Sequence, residues 1–230
     1  IQTEDEISAI TMAIGGALTG TRTATATSGP GFSLMAEALG WAGINEVPLV
    51  VSLYQRAGPS TGLPTRHEQG DLFFAIKAGH GQFPRIVFAS GDIEESFYDT
   101  LKVFNFAEIF QLPVIHLLDK AIASSVMTCK TFDANKITID RGYFLKKINM
   151  KTQDQEKLKH FKRFELKENT AISPRPPLGT ENGIFWNTGD EHDEEGHISE
   201  DPTVRIKKMD KRMGKLNLIL QEIQDEDKAL

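Results

Sequence analysis

Between residues 23 and 71 the chain turns two strand-to-helix corners in succession, and that spacing limits its possible folds more than any other feature. A β-prone run over residues 21–27 breaks at Ser28-Gly29-Pro30-Gly31, and a continuous apolar run over residues 47–54 opens into a loop that begins at Arg56. A short run apolar on both faces is the pattern of a strand buried in a parallel sheet. In open α/β sheets the corners after such strands line one edge, where loops and helix N-termini present free N–H groups to ligands. Glycine permits a tight turn and close approach of backbone to a ligand, and Pro30 fixes φ at a helix start. The same four residues are equally those of a plain strand-to-helix turn. The second loop, residues 56–69, is more unusual: it holds Arg56, Arg66, His67 and Glu68 among hydroxyls, glycines and prolines, a composition typical of functional loops.

The rest of the first half continues the alternation. Ile7, Ile10, Ile14 and Leu18 recur at helical spacing with small residues between them, so residues 4–19 are expected as a tightly packed helix, with Glu4, Asp5 and Glu6 in its first turn. Acids there are favoured by the macrodipole without any further role. A helix over 32–43, a short helix over 72–78, a strand over 86–88, a helix from Asp92 to about residue 110 and a strand over 112–118 complete the unit. The expected fold class is α/β, a Rossmann-like parallel sheet with right-handed crossovers. After residue 118 the character changes: residues 131–170 mix Lys, Asp and Glu with scattered aliphatics, which places a boundary near 125 between an α/β domain (1–125) and an irregular α+β connector (126–230). The connector ends in an amphipathic helix over 202–225, with Met209, Met213, Leu216, Leu220 and Ile223 as its apolar stripe and basic residues flanking it.

Charge and cysteine content exclude several functions. The net charge of −6 over 230 residues argues against nucleic acid and against an anionic membrane surface as partners. The basic helix has no aromatic interleaving to reverse that. No apolar run reaches the length of a membrane span and no signal peptide is visible, so a cytoplasmic location is expected. One cysteine, Cys129, cannot build a disulfide framework, an iron–sulfur cluster or a cysteine zinc site by itself. The acidic stretch 189–197, with His192 and His197, lacks His-Glu-x-x-His spacing and reads as a solvated or ion-paired loop, so no metal ligands are assigned.

The segments ATSGPGFSLM and NEVPLVVSLYQRAGPSTGLPTRHEQGDL, followed later by GIFWNTGDEHDEEGHISEDP, resemble the α subunit of 2-oxoacid:ferredoxin oxidoreductases. The resemblance implies a pyrimidine-binding domain for thiamine diphosphate. It further implies a CoA-dependent oxidative decarboxylation of 2-oxoacids of the pyruvate or 2-oxoglutarate type, with electrons passed to ferredoxin. Gln2-Thr3-Glu4 matches the place of the family's pyrimidine-binding carboxylate, which makes Glu4 the implied catalytic and cofactor-binding residue; a carboxyl at ring nitrogen N1′ favours the imino tautomer that deprotonates thiazolium C2. Ser28, Gly29 and Pro30 are implied as further cofactor contacts, Arg56 as the binder of the substrate carboxylate and Thr65 as a neighbour of the substrate side chain. A β subunit is implied as the holder of the diphosphate's Mg²⁺ and of a 4Fe-4S cluster; this chain has neither a Gly-Asp-Gly motif nor a cysteine cluster. In the family a Tyr-Pro-Ile-Thr-Pro turn precedes the point where this sequence starts and another domain follows, so the sequence reads as an excerpt. The competing reading is a non-catalytic interaction or regulatory module that retained this fold.

Overall fold

A computed structural model describes residues 1–148, 161–167 and 170–223. Part of the 131–170 stretch, and the expected end of the last helix at 225, lie outside them. Helix α1 (Glu6–Leu18) starts where Asp5 accepts a hydrogen bond from the Ser8 N–H at 2.7 Å, and it buries Ile10, Ala13, Ile14 and Ala17. Strand β1 (Ala24–Thr27) leads into α2 (Gly29–Leu34) and α3 (Ala36–Ile44), which meet at Met35, so the single helix expected over 32–43 is two. Strand β2 (Leu49–Gln55), helix α4 (Leu72–Lys77) and strand β3 (Ile86–Ala89) follow. Helix α5 (Ile93–Phe110), capped by Asp92, then returns the chain to β4 (Pro113–Asp119). Asp119 caps the short α6 (Lys120–Ser124).

The four strands are all parallel, in the order β1-β2-β4-β3. This is the α/β architecture expected from the alternation of strand and helix patterns. Because successive side chains of a strand point to opposite faces, β2 and β4 each feed two cores. Leu49, Val51, Leu53, Ile115 and Leu117 pack with α1 to α4, whereas Val50 and Val114 pack with α5 and the final helix, α7 (Pro202–Glu222). All four strands end at one edge, with Gln55 opposite Asp119 and Thr27 opposite Leu53.

The opposite edge is closed by residues of the second half. Glu46 and Gln111, both at φ 52°, form the left-handed turns that lead into β2 and β4. Lys215 pairs with the Glu46 carboxylate at 2.7 Å and donates to the Gln111 carbonyl at 2.8 Å; Lys211 also pairs with Glu46, and Arg163 donates to the Glu46 carbonyl at 2.8 Å. Burial alone would push the Glu46 carboxyl up, but Lys211, Lys215 and Arg163 hold it well below the usual carboxylate range. A second buried carboxylate, Glu108, is ringed by Arg22 (3.0 Å), Arg141 (2.7 Å) and Arg175 (2.8 Å). Helix α7 consequently turns Lys208, Lys211, Arg212 and Lys215 inward beside Ile219; of the expected apolar stripe, Ile223 is buried, Met209, Met213 and Leu216 are half-buried, and Leu220 is exposed. The cause is the carboxylate and carbonyl groups beneath it, which need donors more than apolar cover.

Candidate active site at the C-terminal edge of the sheet

The ends of β1, β2 and β4 and the starts of α1, α2 and α4 converge on one corner. Gly31 lets the first turns of α1 and α2 touch: a Cβ there would lie 2.1 Å from Thr27 Oγ1 and 2.5 Å from Glu6 Oε1, so only glycine fits. Glu6, the first residue of α1, therefore turns its carboxylate toward the Ser28-to-Gly31 turn. Across the corner, Asp71 occupies the N-cap position of α4 but makes no side-chain cap. Its carboxylate instead lies against Gly29, where a Cβ would be 3.1 Å from both oxygens, while its N–H donates to the buried Gln55 side chain at 3.0 Å. Burial, with Glu68 adding to it and Arg56 opposing, raises the Asp71 pKa, and among the described residues its Oδ2 is buried without a hydrogen-bond partner. A buried oxygen left open inside a corner of this kind is a place for a ligand donor.

Arg56 stands at the end of β2. Its Nε donates to Ser28 Oγ at 3.0 Å and its Nη1 to the Thr61 carbonyl. The loop that follows is folded on itself: the Gly58–Pro59 peptide is cis, Ala57 N–H donates to the Arg66 carbonyl at 3.2 Å, and Arg66 N–H donates to the Leu63 carbonyl at 2.9 Å. Gln69 fastens the far end of the loop to Asp119 at 2.8 Å. The Asp119 carboxyl is held below its ordinary value by the Ile122 N–H that it caps and by Gln69.

Residues 1–211 match the model of the family described as pyruvate flavodoxin/ferredoxin oxidoreductase, thiamine diphosphate-binding. The chain belongs to this family. It is 51% identical over 226 residues to 2-oxoacid:ferredoxin oxidoreductase 1, subunit alpha, of Aeropyrum pernix, covering 98% of this chain and 34% of that protein. It is 52% identical over 231 residues to the 2-oxoacid:ferredoxin oxidoreductase subunit alpha of Saccharolobus solfataricus, covering 100% of this chain and 35% of that one. Among solved structures, a 2-oxoglutarate:ferredoxin oxidoreductase from Magnetococcus marinus, with 2-oxoglutarate, coenzyme A and succinyl-CoA bound, superposes with a TM-score of 0.87. It is 40% identical, and the match covers 98% of this chain and 37% of that one. The chain thus spans about a third of the length of these relatives.

Of the residues singled out from the sequence, the family fold brings Ser28, Gly29, Pro30 and Arg56 into this one corner. Thr65 lies exposed on the loop that Arg56 opens. Glu4 is exposed on the turn before α1, whereas Glu6, two residues on, is partly buried and reaches the corner. Sequence reasoning missed Glu6, Gln55 and Asp71. The phase of α1 was available as a signal: Asp5 and Ser8 stand at the spacing of a capping pair, which makes Glu6 the first helical residue. Among the described residues, no group of three or more His, Cys, Asp or Glu is arranged to hold a metal ion, and no helix is long and apolar enough to cross a membrane.

Proposed function

We propose that this chain is the pyrimidine-holding part of a 2-oxoacid:ferredoxin oxidoreductase, an enzyme that converts 2-oxoacids and CoA to acyl-CoA and CO₂ with transfer of electrons to ferredoxin. The observation that carries the reading is the corner itself: glycine backbone approached by the Glu6 carboxylate on one side and by an anchored arginine on the other. These residues fit the aminopyrimidine end of thiamine diphosphate, because the half-buried Glu6 carboxyl, turned toward the Ser28-to-Gly31 turn, can meet one of its ring nitrogens. When bound, thiamine diphosphate supplies a carbon nucleophile and an electron sink for decarboxylation.

In this reading Glu6, rather than Glu4, is the acid that holds a proton at pyrimidine N1′, since Glu6 faces the glycine turn and Glu4 faces solvent. Gly29 and Pro30 shape the floor of the corner. Arg56 binds the substrate carboxylate, and Thr65 borders the substrate's side chain. Residues 1–125 form the pyrimidine-binding domain and residues 126–230 the connector. The diphosphate's Mg²⁺ and the 4Fe-4S cluster belong to a β subunit that covers the corner. Support for such cover comes from the apolar side chains left exposed around it, including Ile7, Leu34, Leu63, Leu72 and Phe73. The complex works in the cytoplasm, where CoA and ferredoxin are found.

The test uses the complete complex. Glu6→Gln is expected to slow exchange of the cofactor's C2 proton by two orders of magnitude or more (roughly the 10²–10⁴-fold range of a positioned acid–base group), with Glu4→Gln close to wild type. Wild-type exchange in folded Glu6→Gln would remove Glu6 from the reaction. Failure of the wild-type complex to reduce a dye in a 2-oxoacid- and CoA-dependent way would instead favour the non-catalytic module.

A further inference from the structure

We infer that Ser28 is a positioning residue: its hydroxyl orients the Arg56 guanidinium so that one edge of it is presented to a substrate carboxylate. The inference rests on the reading of Arg56 given above. Ser28 stands at the N-cap position of α2 in extended geometry (φ −113°, ψ 178°), where a serine ordinarily accepts a hydrogen bond from the second or third N–H of the helix. It makes no such bond. Its oxygen is turned across the corner instead, to accept the Arg56 Nε–H at 3.0 Å. The contact joins residues 28 positions apart, one on each of the two corners.

A guanidinium has five N–H donors in a fixed plane. Ser28 takes Nε, and the Thr61 carbonyl takes one hydrogen of Nη1. With two anchors the plane cannot swivel, and among the described residues the remaining Nη hydrogens bond to nothing. That leaves one hydrogen of Nη1 and both hydrogens of Nη2 for the oxygens of a carboxylate. The Asp71 carboxylate, close enough for Arg56 to oppose its rise in pKa, lies on Gly29 and forms no ion pair with Arg56. A fork held in place before the substrate arrives loses little freedom on binding it. Ser28 thus acts on the substrate through Arg56, and the floor of the corner that carries the cofactor also sets the angle of the substrate's anchor.

The experiment compares Ser28→Ala, Ser28→Thr and Arg56→Lys in the assembled complex by steady-state kinetics. Ser28→Ala is expected to raise the KM for the 2-oxoacid about three- to tenfold, the scale of one lost hydrogen bond, with the apparent affinity for thiamine diphosphate unchanged. Ser28→Thr, which keeps the hydroxyl, restores the wild-type KM. In an Arg56→Lys background Ser28→Ala adds nothing, because lysine has no Nε for Ser28 to hold. A wild-type 2-oxoacid KM in Ser28→Ala, with Arg56→Lys impaired, overturns the inference and leaves the role of Arg56 standing. Loss of thiamine diphosphate affinity in place of the KM effect overturns it in favour of a direct cofactor contact. Wild-type kinetics in Arg56→Lys removes the reading of Arg56 and the inference with it.

Discussion

The two edges of this one sheet follow opposite rules. At the N-terminal edge, buried carboxylates are over-supplied with cations: Glu46 faces Lys211, Lys215 and Arg163, and Glu108 faces Arg22, Arg141 and Arg175. At the C-terminal edge, among the described residues, Asp71 Oδ2 is buried with no hydrogen-bond partner and Arg56 keeps unbonded donors, and Phe73 is 74% exposed. The first edge holds the fold and the second is left for something else to complete. Gln111 Oε1 and Arg163 Nη1 at the first edge also lack a hydrogen bond among the described residues, but both residues are buried. The difference therefore teaches where to look for chemistry in such a chain: at unsatisfied groups that a ligand can reach, as partly exposed Asp71 and Arg56 are.

The largest expected effect breaks the closed edge. Glu46→Gln leaves buried cations without their counter-charge, and removal of one partner from a buried ion pair costs about 3–5 kcal/mol. Asp71→Asn at the open edge should change stability by less than about 1 kcal/mol, because a carboxylate held at a raised pKa gives the fold little. Urea unfolding of both variants decides the matter. Equal losses would mean that the two edges share the stabilising work.

Acid tests the edges together. His116, hydrogen-bonded to Ser90 Oγ at 2.7 Å, and His192, with its ring 4.2 Å from that of Phe164, are both buried. Burial pushes each imidazole down to about 4. An unfolded histidine titrates near 6.5, so between about pH 6.5 and 4 the unfolded chain binds protons that the folded chain refuses. Stability is therefore full above about pH 6.5 and falls as the pH drops toward 4, by at most about 3 kcal/mol per histidine. His116→Gln should flatten the pH dependence of the urea midpoint over that interval. An unchanged slope would show that His116 takes up its proton without unfolding.

At the open edge, Arg56→Lys is expected to cost about 2–3 kcal/mol in kcat/KM, the scale of a charged hydrogen-bonding contact, with no comparable loss of stability. A folded variant with wild-type kinetics toward every 2-oxoacid would show that Arg56 merely staples its loop through Ser28 and the Thr61 carbonyl.

Much of the open edge was legible in the sequence, because glycine turns, strand runs and an arginine at a strand end are local signals. The α/β alternation was legible for the same reason. Glu6 was obscured by its neighbours, since Glu4, Asp5 and Glu6 all suit a helix N-terminus and only the helix phase separates them. The closed edge was not legible. Lysines on a helix read as a solvated face, and their burial depends on Glu46, 165 residues away from Lys211 in the chain. Burial also pushes Lys208 and Lys215 down to about 7, a state that no residue pattern announces.

The smallest expected effect concerns Thr65, which is exposed in the loop between Arg56 and Gln69. That loop is tied at both ends, by Arg56 to Ser28 and by Gln69 to Asp119, so a side chain near its middle can change without loosening either tie. Thr65→Ala should accordingly alter stability by less than about 0.5 kcal/mol, as for surface positions in general. Its effect should appear as selectivity. If Thr65 borders the substrate's side chain, removing a methyl and a hydroxyl relaxes the pocket and shifts the ratio of kcat/KM between a larger and a smaller 2-oxoacid by about 1–2 kcal/mol, the scale of a methylene-sized change in a pocket. Comparison of pyruvate with 2-oxoglutarate in the complete complex measures that ratio. A uniform change in kcat/KM for both acids would show that Thr65 supports the loop; a changed ratio at unchanged stability places its side chain against the substrate.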